Sequence, residues 1–501
     1  MTWGDDMRHW PFPLAVAAAL SAPASPARAQ ATLDELDRAP RAAAQPDTAA
    51  DPAEGKTPPE INGYTANRLS FTGVDRAGPV PTQDLPALQE QLELNLQLRV
   101  YLGSKRYFAY ADASLFYQGG WLFRTDGAGP LTASPGHDLA ALDPLFAPSE
   151  LYLSASPRPW LNVLIGKKRI TWGSGFAFNP TDLLSPAKDP TDPNLQRAGN
   201  WVARVELPFE NFSVTGVFAP EALYTRAGIP YAVLRYPSYP AADGTEPRDH
   251  ASHYLAAARC YALLHDTDLN VTYLLSNHYQ DEFANKSRFG VSAARYFFTD
   301  YELHVEALLS LGSARSFPCT AACAAGAGAS PGFALTKLHS TSFYPRLILG
   351  TRRQFSDDSL LSLEYYFQGD GYGDREFADA VQVMSTTATS TAGGGTSGAL
   401  PQRFRFDPLR RHYLIVSYNK PRIFDDWTAS AVLIGGLRDL SGLLSPSVSW
   451  STREWLTLSM YGYLPIHGLG VGEVTAGDRS LSEYALTPFD YRVLFEARAF
   501  F

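Results

Sequence analysis

The chain has 501 residues, of which 13% are aromatic and 19% charged, with a net charge of −9 from 42 basic and 51 acidic side chains. That balance argues against a protein that coats nucleic acid, and 26 Tyr with 28 Phe suit extended structure better than an ordinary cytosolic enzyme. No apolar run reaches about 18 residues, so any membrane crossing must use strands closed into a barrel, because lipid offers no partner to an open strand edge.

The N-terminus has the grammar of an export signal. From Met7 it runs through Arg8 and an apolar stretch to Leu20, then ends in Ala27-Arg28-Ala29, a small-x-small cleavage site before Gln30. Asp5 and Asp6 do not suit a positive leader, which points to Met7 as the start. Residues 1–29 read as a signal peptide. Residues 30–60, rich in Ala, Pro, Asp and Thr, cannot bury enough apolar surface to fold and read as a disordered periplasmic lead-in.

From residue 61 the sequence changes character and keeps one theme to residue 501. In "QLELNLQLRVYLG" (91–103), Leu92, Leu94, Leu96, Leu98, Val100 and Leu102 alternate with Gln91, Glu93, Asn95, Gln97, Arg99 and Tyr101. A helix would scatter these leucines around its circumference, whereas a strand puts them all on one face. "LNVTYLLSN" (269–277), "YELHVEALLSLG" (301–312) and "LLSLEYYFQG" (360–369) repeat the code. Short polar turns fall at 103–106, 156–159, 208–211, 265–268, 298–301, 355–359, 420–426 and 451–454. Between them lie longer connections, the largest at 121–148, 173–200, 220–251, 313–340, 370–406 and 465–488, with one short exception near Asp439–Gly442.

Turns alternating with long loops predict an all-β fold: a single transmembrane, antiparallel, up-and-down barrel with periplasmic turns and extracellular loops. The segments number about 18, within a range of 16–18, with both ends of the barrel on the turn side. The leucine faces are expected to meet lipid and the polar faces a water-filled lumen. A soluble sandwich also alternates, but strand after strand with the same two-sided code leaves it no core.

The last segment, "DYRVLFEARAFF" (490–501), sets Tyr491, Val493, Phe495, Ala497, Ala499 and Phe501 on one face. A closing amphipathic strand with a terminal Phe resembles the recognition signal of bacterial outer-membrane barrels. The resemblance implies delivery to the barrel-assembly machinery, with Tyr491, Phe495 and Phe501 as the signal. Residues 61–501 as a whole look like an outer-membrane porin, and the layout is similar to the 18-stranded group that includes alginate-export and substrate-specific porins. That likeness implies outer-membrane lipid and lipopolysaccharide as surroundings and a monomer as the assembly.

The densest feature is "GKKRITWGSGFAFNPTDLLSPAKDPTDPN" (166–194). A basic strand end carrying Lys168 leads to Trp172-Gly173 and a long loop with Asn179 and Asp182, which resembles Trp-Gly and Asn-Pro-x-Asp boxes of porin-like barrels. A loop this long can fold into the lumen and narrow it, with Asp182 setting a transverse field against the basic strand, or it can simply brace an exposed connection. Expected pore-lining charges are Glu93, Arg99, Arg204, Arg259, Glu302, Glu306, Glu364 and Arg498, mixed in sign and so unsuited to a strongly anionic polymer. Cys319 and Cys323, in a small loop, suit a disulfide, or free thiols. Turn chemistry explains Asn179, Asp182, Asp189, Asp192 and Asn194 better than a calcium site, so neither metal nor cofactor is expected. No Gly-x-Ser-x-Gly, His-Glu-x-x-His or phosphate-binding glycine loop occurs, so no enzyme is expected either. The function implied is a porin that passes small polar solutes. The alternative is a non-conducting structural or receptor-like barrel with a plugged lumen.

Overall fold

The computed structural model describes residues 58–74, 88–121, 145–182, 184, 199–220, 254–276, 287–298, 300–313, 315, 317–319, 332–334, 340–391, 408–468, 475–476, 479–480, 482–487 and 489–501. The expected signal peptide, nearly all of the lead-in, and Cys323 lie outside these residues, and with Cys323 the disulfide.

The strands in chain order are β1 (Glu60–Val74), β2 (Leu88–Leu102), β3 (Ser104–Trp121), β4 (Leu145–Arg158), β5 (Leu161–Lys168), β6 (Asn200–Pro208), β7 (Phe212–Pro220) and β8 (Tyr254–Leu264). Next come β9 (Thr267–Ser276), β10 (Ser287–Phe297), β11 (Tyr301–Leu311), a small hairpin β12 (Phe317–Cys319) and β13 (Gly332–Ala334), β14 (Phe343–Gln354) and β15 (Leu360–Gln368). Helix α1 (Asp374–Thr391) precedes β16 (His412–Ile423), β17 (Trp427–Gly436), β18 (Gly442–Arg453) and β19 (Leu456–Ile466). A second small hairpin, β20 (Thr475–Ala476) and β21 (Arg479–Ser480), and a 3-10 turn (Glu483–Leu486) lead to β22 (Phe489–Phe500).

Leaving out the two small hairpins, the strands form one 18-stranded sheet in which each pairs antiparallel with its sequence neighbours. The sheet closes because β1 pairs with β2 on one edge (Tyr64 opposite Asn95) and with β22 on the other (Tyr64 opposite Phe500). Closure leaves no barrel edge unpaired, the requirement for a sheet in lipid. The seam is tight at the end of the chain. Gly63 and Phe501 exchange backbone bonds of 3.1 and 3.0 Å, and the Phe501 ring occupies the space a side chain at position 63 would need.

The period-2 code sorts as expected for a barrel that is apolar outside. On β2, Leu92, Leu96 and Leu98 are exposed on the outer face, while Glu93 and Asn95 are buried on the inner one. Outward leucines, valines and phenylalanines recur around the sheet, and towards the turn end Trp427 and Trp450 stack on the outer wall at 5.2 Å. His265 and Asp266, both at positive φ, form the two-residue connection between β8 and β9, a left-handed pair that matches the twist of a hairpin.

One element departs from the sequence reading. The connection expected as a loop over 370–406 contains α1. Its start is capped by the Glu376 carboxylate, which accepts the Gly373 N–H at 2.9 Å, and Phe377 N–H makes the first helical bond to Gly373 at 2.9 Å. Phe377, Ala380 and Val381, at i, i+3 and i+4, are buried with Phe317, Tyr372 and Leu486 in a small core at the loop end of the barrel.

Candidate functional site

The site grows from the connection between β5 and β6. After Lys168 the chain turns inward rather than away from the barrel. Residues 169–182, with Leu184, lie as a strap along the inner wall. Ile170, Trp172 and Leu184 pack on inward side chains of β4 to β11, including Leu164, Val202, Val217, Leu274 and Leu308. Phe176, Ala177 and Phe178 continue onto β14 to β18 through Ile348, Tyr366, Tyr413, Ile434 and Leu443, with Phe178 stacked on Tyr366 at 4.6 Å. The local sequence makes this path possible. Gly173 adopts φ +99, where a Cβ would collide with the Glu306 carboxylate, so only glycine brings the backbone so close. Asn179-Pro180-Thr181-Asp182 forms a turn closed by Asp182 N–H to Asn179 C=O at 3.0 Å.

Two carboxylates from the wall hold the strap. Glu306 accepts the Ser174 N–H, the Gly175 N–H at 2.7 Å, the Thr181 hydroxyl at 2.9 Å and the Thr181 N–H at 3.3 Å. Glu364, on β15, accepts the Phe176 N–H and the Ala177 N–H at 3.1 Å, and lies 2.9 Å from His304 Nε2. His304 Nδ1 faces Glu302 at 3.3 Å, and Arg352 stands 3.5 Å from Glu302. Successive backbone N–H groups converging on a carboxylate satisfy a loop buried inside a barrel, where unpaired polar groups would be costly.

This alters the part expected of three residues. Glu306 and Glu364 face inward as anticipated but are 0% and 1% exposed, enclosed by the strap and consumed by its backbone, and Glu302 is tied up with His304 and Arg352. Trp172 is buried against the wall. Asp182 accepts the Trp172 N–H at 3.3 Å within the strap. Lys168 points inward and meets Glu150 at 3.0 Å, with its ammonium 4.5 Å from the Tyr152 ring centroid.

The opposite sector, β19, β22 and β1 to β3, reaches the margins of these apolar clusters through Phe108, Tyr110 and Tyr463 and otherwise carries a polar lattice. Arg68 bridges Glu93 at 2.6 Å and Glu496 at 2.5 Å, and Arg498 meets Glu496 at 3.0 Å while lying 4.8 Å from the Tyr64 ring. Glu93 also accepts from Tyr64 and Ser114, each at 2.9 Å. Asn95 donates to Asp112 at 2.7 Å, and Arg99 pairs with Glu60 at 3.3 Å beside Phe108 and Tyr110. Elsewhere on the inner face, Arg204 pairs with Glu206 at 3.5 Å and Arg259 donates to Asn270 at 2.8 Å. Sequence reasoning missed Arg68, Asp112 and Glu150. Each sits at an inward period-2 position, and that was the one signal able to find them.

At the loop end, a second set of buried polar groups fixes the mouth. Glu483 accepts from the Tyr413 hydroxyl at 2.6 Å and the Leu409 N–H at 2.6 Å, and its own N–H donates to Asp439 at 2.6 Å. Burial pushes the Glu483 carboxyl up to about 7, aided by the charge of Asp439 and opposed by the bonds it accepts from Tyr413 and Leu409. Asp370 is the reverse case. Burial works to raise it, but Arg346 and Arg315, with a bond from Ser313 at 2.8 Å, hold it well below the usual carboxylate range.

Tyr491, Phe495 and Phe501, the expected assembly residues, are exposed on the outer face of the closing strand. Among the described residues no group of three or more His, Cys, Asp or Glu side chains is arranged to hold a metal ion.

No family model matches the chain, and no curated protein sequence matches it. Solved structures similar to it include OccK8 (OprE) of Pseudomonas aeruginosa, at 10% identity and TM-score 0.48, covering 88% of this chain and 98% of that one. A triple mutant of the Rhodopseudomonas blastica porin shares 10% identity at TM-score 0.39, covering 88% and 100%. Likeness at that level leaves the architecture resting on the strand pairing: the chain is a closed, 18-stranded antiparallel barrel.

Proposed function

We propose that the protein is an outer-membrane porin of Gram-negative type that passes small polar solutes, with the strap over 169–182 narrowing the lumen. The observation that supports this best is the inward strap held by Glu306 and Glu364 on one side of a barrel whose other side keeps a polar, charged inner wall. A solute would pass between the strap and the sector from β19 to β3, where Arg68, Arg99 and Arg498 alternate with Glu93, Asp112 and Glu496. Selectivity belongs to that mixed lattice rather than to the enclosed Glu306 and Glu364. Lys168 and Glu150 stand at the root of the strap and define its polar flank.

The same reading carries the remaining expectations. Residues 1–29 are a signal peptide and 30–60 a periplasmic lead-in, and Tyr491, Phe495 and Phe501 present the closing strand to the assembly machinery. The barrel acts as a monomer surrounded by lipid and lipopolysaccharide, without enzymatic activity, and Cys319 and Cys323 pair in an oxidising compartment. The test is single-channel conductance of the refolded chain from Gln30 onward, in planar bilayers under a salt gradient. Discrete steps with a reversal potential are expected. A folded, heat-modifiable protein that gives no steps would replace this reading with a plugged, non-conducting barrel, which the apolar packing of the strap against β4 to β18 would then explain.

A further inference from the structure

His304 of β11, Gly350 of β14 and Glu364 of β15 lie in one row across three paired strands. Neighbouring strands are about 4.8 Å apart, so an inward side chain ordinarily meets the strand beside it and no further. Gly350 removes that limit. The His304 ring occupies the space a side chain at position 350 would fill, and its Nε2 reaches Glu364, two strands away, at 2.9 Å. Its Nδ1 faces Glu302 at 3.3 Å. A neutral imidazole has one N–H and one lone pair, and would turn the lone pair to one of these carboxylates, whereas the doubly protonated ring offers a proton to both. The charges around the ring are Glu302 and Glu306, one step either side on the same face of β11, Glu364 on β15, and Arg352 on β14, 3.5 Å from Glu302. On β10, Ala294 stands opposite His304 and Tyr296 opposite Glu302; on β16, Ile415 stands opposite Glu364. The strap adds backbone N–H groups from Ser174 to Ala177.

We propose that His304 is the positioning residue of the strap: its imidazolium holds Glu364 against the Phe176 and Ala177 N–H groups, and loss of that proton at alkaline pH frees the strap and widens the lumen. With the ring charged, three buried carboxylates face two cations, and the converging N–H dipoles of the strap offset the remainder. With the ring neutral, the same three face Arg352 alone. Enclosed charge without a partner calls for water, and lifting the strap that encloses Glu306 and Glu364 admits it. The inference rests on the reading of the strap as the constriction of a pore.

The test uses the full refolded chain from Gln30, in planar bilayers for single-channel conductance and in detergent for hydrogen exchange of the strap amides. Both are followed from about pH 6.5 to 10, with exchange corrected for its intrinsic pH dependence. The wild type is expected to give small, quiet steps at the lower end and to pass to larger, noisier ones in a single transition. H304Q, which cannot carry the charge, should give the large steps at every pH. Its exchange at Ser174 to Ala177 should be about tenfold faster than in the wild type near neutral pH, the size of one charge-assisted contact. G350A, which displaces the ring without altering a charged group, should behave in the same way, so the proposal stays open to test even where one variant folds poorly. H304Q/E302Q returns the pocket to an excess of one carboxylate and should recover small steps that no longer respond to pH, a rescue that a purely structural histidine would not show. Wild-type steps and exchange in H304Q and G350A, or an alkaline transition that survives in H304Q, would overturn the proposal. Absence of steps at every pH refutes the open pore alone, because the exchange comparison still decides whether His304 holds the strap.

Discussion

Glu306 shows how one side chain can decide the position of a whole segment. A strand residue normally offers its carboxylate to solvent or to a basic neighbour, but this one accepts bonds from Ser174, Gly175 and Thr181, about 130 residues away in sequence. Glu306→Gln keeps the shape and loses the charge, and charge-assisted bonds of this kind contribute about 1.5–3 kcal/mol each. The expected result is a strap that detaches part of the time. The variant, and more so E306Q/E364Q, should show larger and noisier conductance steps with the heat-modifiable fold retained. Unchanged steps in the double variant would mean that apolar packing alone fixes the strap. Glu483 yields a prediction in pH. Its carboxyl sits near 7 in the folded protein against about 4.5 when unfolded, so the folded state holds the extra proton between those values. Its contribution therefore falls as pH rises from about 4.5 to about 7, and stays low above that. Asp370, held low, contributes above the unfolded carboxylate range and loses that contribution in acid. In E483Q the decline of unfolding temperature between pH 5 and 7.5 should flatten. A slope equal to that of the wild type would show that Glu483 is not the group that titrates.

At the scale of elements, the strands and the insertions behave differently. β2 spans Leu88–Leu102, the segment whose alternation is strongest, because six aliphatic residues on one face and Gln, Glu, Asn and Arg on the other admit only one register. Helix α1 escaped the sequence reading for a physical reason. Its buried apolar positions, Phe377, Ala380, Val381 and Val383, all fall in its first ten residues, and the rest of the helix is rich in Ser and Thr, which are indifferent to helix formation. It forms because Phe317 and Leu486, brought from two other connections, join Tyr372 just ahead of the helix in covering its apolar stripe. Phe377→Ala should therefore cost about 3–5 kcal/mol locally. Hydrogen exchange would show residues 374–391 losing protection while the barrel strands keep theirs. Simultaneous loss of protection in β14 to β19 would instead make the small core part of the barrel's own stability.

For the whole molecule, the decisive event is closure. β22 pairs with both β19 and β1, and the last residue of the chain completes the ladder over Gly63. Gly63→Val places a side chain where the Phe501 ring and the Asn95 carbonyl already stand, so the seam must part at its turn end. The expected outcome is a lower yield of the heat-modifiable form on refolding, with strand content by circular dichroism largely kept. A yield equal to that of the wild type would show that the seam tolerates a shifted register there.

Alternation, turn chemistry and the final Phe determined the barrel, its strand number and the two faces of each strand. Those properties are set by period 2 and by residues adjacent in the chain, so they are written locally. The course of the strap, the enclosure of Glu306 and Glu364, the Arg68 bridge between Glu93 and Glu496, and the core around α1 belong to the tertiary structure alone. Each joins groups dozens to hundreds of residues apart, and a one-dimensional pattern that says "inward" does not say which inward groups meet once the sheet has closed.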